Sequence, residues 1–205
     1  MLEKLTVVNE ACALANATPI QSLDAQTPAA AMVRLAYDRV LGYCLGIHRF
    51  SFSLSTRRLS RLAAAPETGW LYAFDLPADR VGAPVRLTDA PKEPRRHFTE
   101  FLIEGPQVHA DAPDLWAQIR ITPAPMLWSP PFRHAFTTAL AADLALTVKR
   151  DKTLRQIMWG EAFGDARAGG CGGLLLAAIT DDGQSTPSLD NPAVTHDPLT
   201  SAWRS

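Results

Sequence analysis

Three observations predict an α+β fold. Apolar residues recur at helical spacing over 3–16 and 28–46, and again over 130–149 and 151–168. Between these stretches the period falls to two: Phe50, Phe52 and Leu54 alternate with polar neighbours, as do Trp70, Tyr72 and Phe74. The 16 prolines concentrate in this middle stretch and in the tail, so its strands must be short and often at sheet edges. The order predicts an antiparallel helical bundle from residues 1–48 and 127–168. A small β-rich region, 49–126, is inserted in it, and an extended arm, 169–205, follows.

In the first helix Leu5, Val8, Cys12 and Ala15 form one stripe, ended by Asn16 and Pro19. Ile20 to Asp24 is an extended connector. Thr27-Pro28 starts the second helix, because threonine can cap free N–H groups and proline suits the first helical position. Its expected inward residues are Met32, Leu35, Ala36, Val40 and Tyr43. Strand candidates follow at 50–54, 69–76, 85–87, 98–104 and 116–121. Trp70 and Phe74 read as core, and Trp116 and Trp128 as the seal between the two regions. Ser129 or Pro130 starts the third helix, with Phe132, Phe136, Leu140, Leu144 and Val148 in line and Lys149 and Arg150 at its C-terminal end. The fourth helix places Leu154, Ile157, Met158, Ala162 and Ala166 inward.

Gly169-Gly170-Cys171-Gly172-Gly173 then reads as a flexible break, since glycine samples both signs of φ. Beyond it, Leu189, Val194, Leu199 and Trp203 are scattered apolar anchors in a polar segment. Such a segment gains more from lying on a partner than from folding back on its own body. A tail without any role is the alternative.

Composition bounds the function. Hydrophobic residues make up 47% and charged residues 20%, ordinary globular values. A net charge of −1 argues against a binder of nucleic acid or membrane acting through bulk charge. The charge is uneven, with nine Lys/Arg against six Asp/Glu over residues 49–100 and four Asp against one Arg from 169 onward. Arg57, Arg58 and Arg61 form a small basic cluster that could touch DNA phosphates or an acidic partner; a solvated loop is the plainer reading. Cys12, Cys44 and Cys171 share no metal-type spacing and fit reduced thiols made in a cytoplasm. No apolar stretch reaches bilayer length and no signal-peptide order opens the chain. No catalytic set assembles. No serine sits in a Gly-x-Ser-x-Gly turn, and His48, His97, His109, His134 and His196 show no ligand spacing. The Gly run lacks the Lys-Ser/Thr of a phosphate loop. No cofactor or metal is expected.

Several phrases nevertheless match a known layout. Val8 to Leu14 and then Pro19-Ile20-Gln21-Ser22-Leu23-Asp24 form an opening helix and connector. Ala30 to Tyr37, Phe50-Ser51-Phe52, Trp70 to Asp79, Pro131-Phe132 and Ala139 to Ala145 follow in order. Over residues 5–168 the chain resembles the head-to-tail adaptors of tailed bacteriophages, the tail tubular protein A type and the related adaptors of gene transfer agents. It departs from them at Ala15 to Thr18 and in having Phe50 where the family shows tryptophan, and the stretch after Gly173 does not align. The resemblance implies a virion protein without enzymatic activity. It implies a dodecameric ring that joins the portal protein to a downstream tail or stopper protein and lines the path of DNA without reading its sequence. An arm reaching along the portal is also implied. A small cytoplasmic hydrolase or transferase with a site in the inserted region is the alternative, and a bacterial scaffold module a third.

Overall fold

In the computed structural model, α1 (Leu2–Leu14) is stopped by the chain itself: Asn16 takes a φ of +52° and the Ala17 N–H returns to the Cys12 carbonyl at 2.8 Å. Residues 2–93, 96–165 and 172–185 are described. The side chain of Asn9 then holds the connector, donating to the Ile20 carbonyl at 3.1 Å and accepting the Ile20 N–H at 3.0 Å. The helix α2 (Pro28–Ile47) begins as its sequence requires, with Thr27 Oγ1 accepting the Ala30 N–H and Pro28 in the first position. Ser129 caps α3 (Pro130–Thr147) through the Phe132 N–H, and Asp151 caps α4 (Lys152–Phe163) through the Leu154 N–H.

Helix α3 is the centre of the helical region. It is enclosed along nearly its whole length, from Phe132 and then Ala135 through Ala145, and packs against α1, α2, α4 and a fifth helix, α5 (Gly173–Ser185). A helix apolar on every side belongs inside. Its many alanines let the neighbours approach closely. Its aromatic end gathers Phe50, Phe52, Trp128 and Phe136 around Phe132, with ring centroids 4.7–6.5 Å apart.

Residues 54–120 build a second core. The strands are β1 (Leu54–Arg58), β2 (Ser60–Arg61), β3 (Tyr72–Asp75), β4 (Arg86–Thr88), β5 (Phe101–Glu104), β6 (Gln107–Ala110) and β7 (Trp116–Arg120). They form two antiparallel sheets, ordered β1-β7-β4 and β2-β3-β6-β5. A bridge between Leu87 and Phe98 ties the segment before β5 to β4, the edge of the first sheet. Leu59, Phe74, Leu87, Val108, Leu115 and Ile119 fill the space between them. Arg120 joins the two regions, donating to the Gly46 carbonyl at 2.8 Å and so satisfying an open end of α2. The Ile121 N–H adds a bond to the Ser53 carbonyl at 2.8 Å.

The architecture is thus mixed α+β, with several particulars corrected. The helix expected over 3–16 ends at Leu14, that over 28–46 runs to Ile47, and that over 130–149 ends at Thr147. The helix expected over 151–168 stops at Phe163, where Gly164 turns to a φ of +73°. Phe50-Ser51-Phe52 does not open a strand. Residues Ser51–Ser53 form a tight turn that sets both rings on Phe132. Short β2 and β6 escaped the pattern because two- and four-residue strands carry almost no periodicity.

Two faces were also misphased. On α2 the inward residues include Val33, Ala36, Tyr37, Val40, Leu41, Cys44 and Leu45, whereas Met32, Leu35 and Tyr43 are exposed. On α4 Ile157 faces outward, and Val148 at the end of α3 is also exposed. Trp128 lies in the helical core rather than at the seam between regions, and Trp70 is only half-buried.

Burial pushes the Cys44 thiol up to about 12 and raises that of Cys12. It also raises the Tyr37 hydroxyl, with help from the negative charge of Asp38. Each group keeps its proton in the folded chain at a pH where the unfolded chain gives it up. Their contribution to stability is therefore complete below the ordinary thiol value of 9.0 and is lost as pH climbs toward 12. Denaturant titrations at rising pH should show stability falling over that window. A thiol reagent at neutral pH should modify Cys12 and Cys44 only after unfolding.

Candidate functional site

The residues after α4 form the part of the molecule that differs most from expectation. The segment 169–205 was expected to be an arm, yet α5 covers 173–185 and buries Leu175 and Ala178 completely against the helical core. Glycine here is a requirement of packing. The Gly172 N–H donates to the Phe163 carbonyl at 2.9 Å, which brings the start of α5 onto the end of α4. Gly164 and Gly173 face each other with φ of +73° and +56°. A Cβ on Gly164 would lie 2.9 Å from the Gly172 Cα, and one on Gly173 would strike the Glu161 carbonyl oxygen. The backbones touch because neither glycine carries a side chain.

The far end of α5 is held by a carboxylate. Asp182 is 8% exposed. Its Oδ1 accepts the Ser51 N–H at 2.9 Å and the Ser51 hydroxyl at 2.6 Å. His48 Nε2 lies 3.2 Å from Oδ2. A serine, a histidine and an aspartate meet here, but in the wrong order for nucleophilic catalysis: the serine proton goes to the carboxylate and not to the imidazole. The arrangement instead fastens α5 to the turn that follows α2. Removing the carboxylate should cost about 2 kcal/mol, since it forfeits several charge-assisted bonds in a closed setting. Denaturation of Asp182→Ala, with hydrogen exchange along α5, measures this; Asp182→Asn should lose less. Leu175, Ala178 and Asp182 stand at i, i+3 and i+7, the signal that could have revealed both the helix and its clasp.

Of the basic cluster, Arg58 and Arg61 line one pocket together with Ser60, Pro113 and Asp114. Arg57 pairs with Asp79 at 2.9 Å. Arg58 pairs with Asp114 and lies over the Trp116 ring, and Arg61 lies over Tyr72 at 5.0 Å. His109 is buried and shares a hydrogen bond with Thr68 at 2.8 Å. His134 lines a groove between α1 and α3 together with Ala13, Leu14 and Arg133. Leu189, Val194, Leu199, Trp203, Cys171 and His196 lie outside the described residues. Among the described residues no group of three or more His, Cys, Asp or Glu side chains could hold a metal ion, and no helix is long and apolar enough to cross a membrane. No known protein family matches this chain, and no curated protein matches it.

Proposed function

We propose that the chain is a structural adaptor subunit, one copy of a ring that joins a portal to a tail or stopper protein in a virion and surrounds the path of DNA. The observation that carries this reading is the division of labour between two cores. Helices from both ends of the chain share one core, while residues 54–120 close around another, joined at Arg120 and Ile121. A helical bundle with an inserted β region suits lateral packing in a ring, and leaves a second, differently shaped surface for the next component of the particle. With α5 docked on the core, the portal-binding role falls in this reading to residues 186–205, which hold Leu189, Val194, Leu199 and Trp203. Attachment through this segment then requires a portal already in place.

The test is to mix the purified chain with assembled portal rings and image the product. The expected result is a ring seated on the portal for the full chain and no attachment when residues 186–205 are deleted, with thermal stability unchanged by the deletion. A truncated chain that still attaches would refute the role of the segment. A full chain that never attaches to any portal would refute the adaptor reading.

A further inference from the structure

A net charge near zero conceals one concentrated patch. The turn from α3 to α4 carries Lys149, Arg150 and Lys152, all exposed, and the adjoining groove between α2, α3 and α4 adds Arg155 beside Arg39, whose charge is balanced by Asp143. The two carboxylates of this region are already engaged. Asp143 is held by Arg39, and Asp151 accepts the Leu154 N–H at 2.9 Å as the cap of α4. Arg155 has no ion pair among the described residues; its guanidinium lies 5.4 Å from the centre of the Trp159 ring, and its Nε is enclosed without a hydrogen-bond partner. The groove has a volume of about 450 Å³. Arg39 and Tyr43 line its α2 wall, and Leu35, one turn before Arg39, continues the same helix face beyond the groove; Leu35 is 71% and Tyr43 43% exposed.

We propose that this groove is a docking site for an acidic amphipathic helix of a partner protein. Carboxylates on such a helix meet the cationic rim, and its apolar side chains cover Leu35 and Tyr43. A nucleic-acid backbone would use the cations but leave Leu35 exposed to water, so a protein segment uses more of what the surface offers. The inference rests on the groove alone and does not depend on the adaptor reading.

The test uses the full chain and a fluorescein-labelled synthetic helix with leucine at i, i+3 and i+4 and glutamate or alanine elsewhere. Anisotropy should report binding that weakens with added salt. The paired substitutions Lys152→Gln and Arg155→Gln should weaken it about tenfold, and Leu35→Glu should weaken it similarly. All three positions are at least partly open to solvent, so circular dichroism should be unchanged. The proposal is overturned by any of four results: no binding, equal binding of the glutamine-for-glutamate helix, unaltered binding by the variants, or tighter binding of an oligothymidine strand than of the acidic helix.

Discussion

Alanine at position 173 is expected to cost at least about 3 kcal/mol, or to detach α5 altogether, although it adds a single methyl group. Two effects combine. The φ of +56° is unfavourable for any residue with a Cβ. The new atom would also collide with backbone on three sides: the Glu161 carbonyl oxygen, the Gly164 nitrogen at 2.8 Å and the Ala162 carbonyl carbon at 3.0 Å. Backbone cannot swing aside as a flexible side chain can, so the two helices must separate. Gly160 provides the internal control. It lies within α4, and a Cβ added there would meet nothing within 4 Å, so Gly160→Ala should be neutral or stabilising by about 0.5–1 kcal/mol. Urea denaturation of the two variants side by side measures the contrast. Equal effects would show that the crossing does not need its glycine.

Phe132→Ala is expected to cost about 3–5 kcal/mol. The ring is fully buried and touches Phe50, Phe52 and Trp128 at once, so its loss opens a void between α3, the turn after α2 and the approach to β1. The surrounding rings are held from several directions and cannot collapse into the space. Leu35→Ala, on a side chain that is 71% exposed, should change stability by less than about 0.5 kcal/mol. The pair also checks the facing of α2, for which sequence spacing alone would have put Leu35 inside.

What could be read in advance depended on how many cues agreed. Helix α3 was legible because Phe132, Phe136, Leu140 and Leu144 recur without a competing phase, and Ser129-Pro130 marks its start. The start of α2 was equally plain from Thr27-Pro28. Its facing was not, because Met32, Val33, Leu35, Ala36, Tyr37, Val40 and Leu41 offer two apolar stripes and only the position of α3 selects between them. Strand β6 depends on pairing with β3 and β5, which no local pattern reports. The candidate site was hidden for two physical reasons. Local pattern reads Gly173 for its freedom and sets Gly164 inside a helix, where both serve close approach. Asp182 is one of four aspartates counted from 169 onward, yet its partners lie far back in the chain at His48 and Ser51. The cationic groove likewise joins three helices, so no single stretch announces it.

The clasp at Asp182 joins residues 134 positions apart in the chain. During synthesis the amino-terminal helices therefore leave the ribosome long before the piece that covers them exists. The socket for Leu175 and Ala178 stays open and greasy until α5 has been synthesised. A premature stop shortly before that point would leave a nascent product that cannot finish its interior and is exposed to chaperones and proteases, even though all seven strands of the described residues are already present.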